Sequence, residues 1–239
     1  MALVTGSGRG IGREIALRLA RDGATVVVHY SESEAGAAET AAGIRAAGGE
    51  ALIHRADLTR RADIQALFAA IDAEAGRIDI VVNSAGVSVG GPLEDLDSDE
   101  VEWIMCVNVL GPLYVASEAA KRLQPGGRIV NLGSSLSAFP MAGSGLYSAT
   151  KAAIRSFTES WAKELGRKGV TVNTVIPGAT APGMMDTAPE GSRAFFENAS
   201  PFGRIGQAGE IAAVVAFLAS PEASWVSGAH ILANGAANT

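Results

Sequence analysis

The sequence is poor in cysteine and in aromatic residues. Cys106 is the only cysteine, and aromatic side chains account for 5% of the 239 residues. A single thiol excludes an internal disulfide bond, which is typical of a protein kept in a reducing compartment, so we expect a cytoplasmic location. Apolar neighbours surround this thiol in the sequence (Trp103, Ile104 and Val107), and they predict that it is buried.

Basic residues are scarce as well. Lys and Arg number 19 against 25 Asp and Glu, and the formal net charge of −6 argues against nucleic acid, which requires a basic surface. No apolar run approaches the roughly 18 residues of a membrane span, so we expect no membrane partner. The first apolar stretch has no basic residues before it, so we do not expect a signal peptide either.

Signs of metal binding or hydrolysis are also missing from the sequence. The three histidines, His29, His54 and His230, lack the spacing of metal ligands, and no G-x-S-x-G nucleophile motif occurs. We therefore expect neither a metal site nor a Ser-His-Asp hydrolase.

Hydrophobic residues, in contrast, make up 48% of the chain, which is enough for a sizeable core. Short β-branched runs alternate with longer stretches of helical spacing, and this alternation predicts an α/β protein with a parallel sheet covered on both faces. The expected architecture is a doubly wound Rossmann fold of about seven strands, in a single domain that spans residues 1–239. The predicted strands are 3–5, 25–28, 51–53, 78–82, 128–132, 170–175 and 230–232.

One segment, residues 177–205, departs from this alternation. We predict that it forms an irregular lid over the substrate, because long loops of this kind usually carry function. Its glycines and prolines include Pro177, Gly178, Pro182, Gly183, Pro189 and Pro201. Apolar residues in and near this lid either line a substrate pocket or pack against the core. They are Leu136, Phe139, Met141, Met184, Met185, Phe195 and Phe196.

The first strand leads into a glycine-rich turn, T-G-x-x-x-G-x-G at residues 5–12, which a helical pattern follows. The G-x-G-x-x-G pattern fails because Ile11 and Arg13 stand where its third glycine would be, and the P-loop pattern fails because the segment has no lysine. Backbone N–H groups and the helix dipole at such a turn favour a pyrophosphate. A plain strand–helix connection is the alternative for this turn taken alone.

Further motifs follow the turn in a fixed order. They are Asp57 in ADLT; Asn83, Ala85 and Gly86 in NSAG; Asn108 in NVLG; Ser134; Tyr147 and Lys151 in YSATK; and Pro177-Gly178. With this order and spacing, essentially the whole chain resembles the short-chain dehydrogenase/reductase family, and especially its 3-oxoacyl-[acyl-carrier-protein] reductase-like members. Ser84 departs from the family's second Asn in the NNAG motif.

The resemblance implies that Asn108, Ser134, Tyr147 and Lys151 form a catalytic set. Tyr147 and Lys151 lie four residues apart in a helical run and so share a face. We expect the ammonium to lower the pKa of the phenol, which makes Tyr147 the acid/base. Ser134 would hold the substrate oxygen, and strand alternation would put Ser135 on the opposite face. By resemblance, Asn108 opens its helix locally and holds a water next to Lys151, which also binds the nicotinamide ribose.

The resemblance also implies a nicotinamide cofactor. Tyr30 stands where NAD-binding members carry an acid, Ser31 follows it, and Arg9 lies where a basic residue can bind a 2′-phosphate, so we favour NADP(H), with NAD(H) as the alternative. Glu32 and Glu34 weaken this argument. The implied cofactor contacts are Gly6, Ser7, Arg9, Gly10, Ile11, Gly12, Tyr30, Ser31, Asp57, Leu58, Asn83, Ala85, Gly86, Tyr147, Lys151, Pro177, Gly178 and Thr180.

Two further expectations rest on the resemblance. Pro182 stands where the family often has a threonine that binds the nicotinamide carboxamide, so Thr180 or the backbone would replace that contact. The family also packs two long helices against partner copies, which here correspond to residues 97–122 and 147–166. We therefore expect a homotetramer, to which Trp161 and Leu165 contribute unless they face the core.

These motifs leave three functions in competition. The first is an NADPH-dependent reductase of ketones or 3-oxoacyl thioesters, in which hydride passes between nicotinamide and a carbonyl carbon. The second is an alcohol, steroid or sugar dehydrogenase that works in the oxidative direction. The third is a nucleotide-sensing or scaffold protein on the same fold, and the presence of both Tyr147 and Lys151 argues against it.

Overall fold

A parallel β-sheet forms the centre of the molecule. The chain is described by a computed structural model that covers residues 1–188 and 190–237, so Pro189 of the predicted lid and residues 238–239 of the predicted domain lie outside the described part. Within it, the strands are β1 (Ala2–Val4), β2 (Val26–Tyr30), β3 (Ala51–Arg55), β4 (Ile80–Asn83), β5 (Arg128–Leu132), β6 (Thr171–Pro177), β7 (Thr180–Ala181), β8 (Gly206–Gln207) and β9 (His230–Ala233).

Seven of these strands form the main sheet, in the order β3-β2-β1-β4-β5-β6-β9, and all neighbours in it are parallel. The predicted fold class is thereby confirmed. The strand ends differ from the prediction by a few residues, because backbone pairing rather than apolar character decides where a strand stops. Thus β2 continues to Tyr30, which pairs with Arg55 of β3.

Helices cover both faces of the sheet. They are α1 (Gly10–Arg21), α2 (Glu34–Ala46), α3 (Arg61–Ala75), α4 (Ser98–Met105), α5 (Gly111–Ala120), α6 (Gly145–Leu165), α7 (Ser192–Ala199) and α8 (Ala208–Ala219). One core lies under α1, α2 and α8, and a second lies under α3, α5 and the end of α6. Burial on both faces explains why strands such as β5 and β6 are buried along their whole length.

The long helix predicted at 97–122 is interrupted. A π-helical turn, Cys106–Leu110, joins α4 to α5. The combined stretch Ser98–Ala120 is the one described helix that is long and apolar enough to cross a membrane by length and composition, and half of it is buried inside the fold, as in a core helix. Cys106 itself is half-buried rather than buried, because Trp103 and Met105 beside it face outward.

The lid segment is more regular than its proline and glycine content predicts. After β6 the chain forms the short strand β7, a 3-10 turn at Met184–Thr187 and the helix α7, and β7 pairs with β8. The helix predicted at 147–166 is α6. Its Leu165 is 9% exposed and packs in the second core, so this residue does not face a partner copy.

The strand order places a crevice at one edge of the sheet. From β1 the chain winds outward through β2 and β3, then crosses back to β4 on the other side of β1. In open α/β sheets, ligands bind beyond the carboxyl ends of the strands at such a point. The glycine turn follows β1, and the NSAG segment (residues 83–86) begins at the end of β4, so both lie at this crevice.

Candidate active site

The glycine turn between β1 and α1 is shaped for close approach. Gly6 has a φ of +66°, and a Cβ on it would lie 2.8 Å from Ala85 Cα, so a larger residue does not fit. A Cβ on Gly12 would collide with the Gly6 carbonyl oxygen. Among the described residues, no side chain caps the N-terminus of α1, and its first turn holds no acid. The turn therefore fits an anionic group, such as a pyrophosphate, that accepts hydrogen bonds from these amides.

The NSAG segment rests against this turn. Thr5 Oγ1 accepts a hydrogen bond from the backbone N–H of Ala85 at 3.0 Å. Gly86 follows, and a Cβ on it would come within 3.3 Å of both Asn108 Oδ1 and Lys151 Nζ. The structure thus brings two residues predicted to contact the cofactor next to two residues predicted to act in catalysis.

Asn108 is buried in the middle of the π-helical turn and links two parts of the site. Its Oδ1 accepts a hydrogen bond from the Val87 N–H at 2.9 Å, and its Nδ2 donates to the Val87 carbonyl at 2.8 Å. The same Nδ2 donates to Thr150 Oγ1 at 3.2 Å, and Thr150 Oγ1 donates to the Tyr147 carbonyl at 2.7 Å. Asn108 therefore ties the loop after β4 to α6. No sequence motif predicted the part that Val87 and Thr150 play.

Tyr147 lies in the first turn of α6 and is 9% exposed. Burial raises the pKa of its phenol, and the hydrogen bond with Ser134 acts in the opposite direction without cancelling it. The sequence-based expectation that Lys151 lowers the pKa of the Tyr147 phenol is therefore wrong. Lys151 Nζ lies 5.8 Å from the centroid of the Tyr147 ring and donates a hydrogen bond to the Leu132 carbonyl at 3.1 Å, and burial outweighs its influence on the pKa of the phenol.

Lys151 is itself 5% exposed. Loss of hydration disfavours its charged form, and the pKa of Lys151 falls to about 8. Its ammonium group therefore exchanges a proton close to neutral pH, unlike that of a lysine in water.

Ser134 and Ser135 do not alternate across a strand as expected, because β5 ends at Leu132. Ser134 is instead the N-cap of a 3-10 turn at Ser135–Ser137, and its Oγ accepts a hydrogen bond from the Leu136 N–H at 3.3 Å. Ser135 is buried inside this turn, whereas Ser134 remains partly exposed and lies close enough to Tyr147 to act on the pKa of its phenol. The turn, rather than strand pleating, distinguishes the two serines.

The segment after β2 contains the residues predicted to read a 2′-phosphate. Tyr30 is half-buried, Ser31 and Arg9 are exposed, and Arg9 is the N-cap residue of α1. Arg55 Nε donates to the Ser31 carbonyl at 3.0 Å, which adds a second guanidinium close to this segment. Asp57 Oδ1 accepts hydrogen bonds from both the N–H and the hydroxyl of Thr59, so the loop after β3 is held in shape.

The start of the lid touches the glycine turn. A Cβ on Gly10 would lie 3.1 Å from Gly183 Cα and 3.3 Å from the Pro182 carbonyl oxygen. Thr180 is buried, and its Oγ1 donates to the Gly178 carbonyl at 2.9 Å. Its hydroxyl is therefore engaged within the loop that follows β6.

The apolar residues predicted for a substrate pocket are divided between two places. Leu136 packs beside Tyr147 together with Val87 and Val89. Other predicted residues lie on the surface with about half of their side chains exposed: Phe139, Met141, Met184 and Phe195. Met185 and Phe196 are half-buried. Within the described residues no cluster of His, Cys, Asp and Glu is arranged to hold a metal ion.

His29 is a residue that sequence analysis did not assign to the site. It is buried in β2, and its ring contacts the Gly6 N–H at one end and the Ala56 carbonyl at the other. The only signal in the sequence was a histidine within the apolar run VVVHY.

The fold and the site together define a class of protein. A parallel sheet with an anion-binding turn at its switch point is the architecture of dinucleotide-binding proteins, and here a buried Tyr-Lys pair lies beside that turn. Comparison with known proteins identifies the family within this class.

A family model described as enoyl-(acyl carrier protein) reductase matches residues 6–237. The hydroxynaphthalene reductase of Aspergillus fumigatus is 38% identical over 241 residues, which cover 95% of this chain and 88% of that protein. Among solved structures, the promiscuous reductase LugOII, which catalyses keto-reduction at C1 during lugdunomycin biosynthesis, has a TM-score of 0.91 at 40% identity, over 98% of this chain and 95% of its own. The angucycline C-6 ketoreductase LanV, solved with bound NADP, has a TM-score of 0.93 at 36% identity, and the match covers 98% of this chain and 93% of LanV.

The chain belongs to the short-chain dehydrogenase/reductase family, and it is an oxidoreductase. The expected family and the expected enzyme class are both confirmed. The catalytic and cofactor-binding roles of individual residues remain predictions, because the similarity concerns whole chains.

Proposed function

We propose that this protein is an NADPH-dependent ketoreductase in which Tyr147 donates the proton. The observation that carries the proposal is the convergence of Ser134, Tyr147 and Lys151 near Gly86, beside a turn that fits a pyrophosphate. Asn108 completes the set by holding the loop after β4 against α6. A scaffold or nucleotide sensor has no need for a buried Tyr-Lys pair.

The residues present fit NADP(H). The N-terminus of α1 would bind the pyrophosphate, and the exposed Arg9 would pair with the 2′-phosphate. Tyr30 and Ser31 bring no negative charge to that position. LanV was solved with NADP bound, which supports the same choice. When bound, NADPH supplies the hydride that reduces the substrate carbonyl carbon.

The side chains of this protein would handle the substrate oxygen. The Ser134 hydroxyl and the Tyr147 phenol would both donate hydrogen bonds to it, which stabilises the negative charge that forms as the carbonyl is reduced. Tyr147 would then transfer its proton to that oxygen and complete the alcohol. Lys151, with a pKa of about 8, would supply a proton to restore the phenol, and the water near Asn108 implied by the family resemblance would connect Lys151 to solvent.

The reductive direction is supported by the protonation state of the site. The raised pKa of Tyr147 keeps the phenol protonated at neutral pH, and reduction requires this acid form. Oxidation of an alcohol would require the phenolate, which burial disfavours.

We propose a ketone on a bulky, apolar, ring-containing molecule as the substrate. Tyr147 lies against Val87, Val89 and Leu136, so the walls nearest the phenol are apolar. The relatives support this class, because one is named a hydroxynaphthalene reductase, one catalyses keto-reduction during lugdunomycin biosynthesis, and one is an angucycline ketoreductase. A 3-oxoacyl thioester is the second candidate. Arg193 and Arg204 line a cavity at the lid, but they pair with Glu197 and Glu210, so an anionic carrier would have to compete with these carboxylates.

A substrate panel followed by the absorbance of NADPH tests the proposal. The panel would contain hydroxynaphthoquinones and tetralones, acetoacetyl thioesters, and, with NADP⁺, simple secondary alcohols, steroids and sugars. We expect the highest kcat/KM with the ring ketones. A clear preference for the acetoacetyl thioester would favour the second candidate, and turnover confined to alcohol oxidation would overturn the proposed direction.

The assembly and the location of the protein are proposals as well. We propose a single-domain subunit in a cytoplasmic homotetramer. In this assembly the outward-facing parts of α4 and α6 would meet partner copies. Trp103, on α4, is 46% exposed and would be covered there. Light scattering of the purified protein measures the mass of the assembly directly.

A further inference from the structure

The side chain of His29 lies between two loops that the proposed function assigns to the cofactor. Its Nδ1 accepts a hydrogen bond from the Gly6 N–H at 3.1 Å, in the glycine turn. Its Nε2 lies 3.0 Å from the carbonyl oxygen of Ala56, directly before the predicted cofactor contacts Asp57 and Leu58. One ring therefore spans from the pyrophosphate turn to the loop after β3, and it is 1% exposed.

These two partners determine the tautomer of the ring. The Ala56 carbonyl only accepts, so Nε2 carries the proton, and the Gly6 N–H only donates, so Nδ1 presents its lone pair. A second proton would face the Gly6 N–H without an acceptor. Burial acts in the same direction, because it lowers the pKa of His29 to about 4, with a smaller contribution from His54. The ring is therefore neutral at physiological pH, with both nitrogens engaged.

The backbone of His29 holds the same turn. Its N–H donates to Ser7 Oγ at 3.0 Å, and its carbonyl accepts from the Ser7 N–H at 3.1 Å. Ser7 Oγ in turn donates to the Val4 carbonyl at 2.8 Å, at the end of β1. Side chain and backbone together fix the turn to β2 at consecutive residues, Gly6 and Ser7.

We propose that His29 is a positioning residue for the cofactor, which holds the pyrophosphate turn and the loop after β3 at a fixed separation. A dinucleotide that reaches from one loop to the other then binds without first ordering them, and such preorganisation increases affinity. This inference rests on the proposed cofactor contacts. It assigns a role to a side chain that does not touch the cofactor itself.

Three substitutions separate the two ends of the ring. His29→Phe keeps the volume and removes both hydrogen bonds, His29→Asn keeps a polar group near Nδ1, and His29→Gln keeps one near Nε2. By calorimetry we expect the Kd for NADPH to rise about tenfold in His29→Phe, and less in the two amide variants. The matched control is His54→Phe. His54 pairs with His29 in the strand register but faces Glu74, and this variant should leave the Kd unchanged.

A cofactor fragment distinguishes positioning from simple loss of structure. Adenosine 2′-phosphate lacks the pyrophosphate and would meet the glycine turn only through the exposed side chain of Arg9, so its Kd should change at least threefold less than that of NADPH in His29→Phe. Equal losses for fragment and whole cofactor, or a lowered melting temperature with an unchanged Kd for NADPH, would overturn the proposal.

Nitrogen NMR of the wild-type protein gives a readout that needs no variant. We expect the His29 ring to show the tautomer with the proton on Nε2, both with and without NADPH, and a proton on Nδ1 would contradict the inference. If the wild-type protein binds neither NADPH nor NADH, the proposed function fails instead, whatever the tautomer.

Discussion

At the residue scale, burial controls the two ionisable groups that matter most. Tyr147 and Lys151 are both less than one-tenth exposed, and loss of hydration disfavours the charged form of each. Burial therefore shifts their pKa values in opposite directions, upward for the phenol and downward for the ammonium. The two pKa values therefore move apart, and the ammonium of Lys151, with a pKa of about 8, becomes a stronger acid than the Tyr147 phenol. This order favours transfer of a proton from Lys151 to the phenolate once a substrate and a cofactor connect the two groups.

Substitution of Tyr147 by phenylalanine tests the assigned proton donor. The ring and its packing are kept while the hydroxyl is lost, so we expect kcat for ketone reduction to fall about 100-fold or more. The Kd for NADPH, measured by fluorescence, should change little. Tyr114→Phe is the control, because the ring of Tyr114, on α5, packs against the guanidinium of Arg61, on α3, away from the site. Retention of full turnover by Tyr147→Phe on every active ketone would contradict the mechanism.

Arg9 decides between the two nicotinamide cofactors in our proposal. Arg9→Ala removes an exposed guanidinium from the N-cap of α1, and we expect the Kd for NADPH to rise about tenfold or more because a charge-assisted hydrogen bond is lost. The Kd for NADH should stay the same, since NADH has no 2′-phosphate. Arg21→Ala, at the other end of the same helix, controls for net charge. Equal weakening of both cofactors would assign Arg9 to the pyrophosphate instead.

At the scale of elements, a chain of buried polar groups fixes α6 to the sheet. Asn83 donates to Asn131 at 2.9 Å, Asn131 donates to Thr158 at 2.8 Å, and Thr158 meets Thr174 at 2.7 Å. All four residues are less than 5% exposed. The chain links β4, β5 and β6 to the helix that carries the Tyr-Lys pair, so the position of this helix does not depend on Lys151 alone.

Removal of the central hydroxyl should destabilise the fold. Thr158→Val leaves Nδ2 of Asn131 without an acceptor in a buried place, and we expect a loss of about 2 kcal/mol in the free energy of unfolding, measured with urea. Thr158→Ser keeps the hydroxyl and should be more stable than the valine variant.

A neighbouring threonine provides the matched control for that change. Thr171 Oγ1 is buried without a hydrogen-bond partner in the described part of the chain, so Thr171→Val should be neutral or stabilising. If both valine variants are equally stable, the polar chain through Thr158 contributes nothing to stability.

At the scale of the whole molecule, the sequence predicted the sheet better than the details of the site. Alternating apolar strands and helices are a repeated signal, and the spacing of Tyr147 and Lys151 reports a shared helix face directly. The π-helical turn around Asn108 and the 3-10 turn at Ser134 leave no repeated pattern in the sequence, because tertiary contacts determine where such turns form. His29 escaped prediction for a related reason, since its partners are backbone atoms, which the sequence does not name. The shift in the pKa of Tyr147 was predicted in the wrong direction, because residue spacing shows that a lysine is near but does not show how far burial removes water from the phenol.

The burial of Lys151 should also be visible in the stability of the whole fold. Its pKa is about 8 in the folded protein and near 10.5 in the unfolded chain, so between these values the unfolded state binds more protons and stability rises with pH. Below about pH 8 the buried ammonium costs the fold on the order of 3 kcal/mol. Lys151→Met removes that cost, and we expect it to be more stable than the wild type at about pH 7, with an advantage that shrinks steadily toward about pH 9.5. Urea unfolding of both proteins across this range measures the difference. A constant difference would show that Lys151 keeps an ordinary pKa and that its ammonium is hydrated in the folded protein.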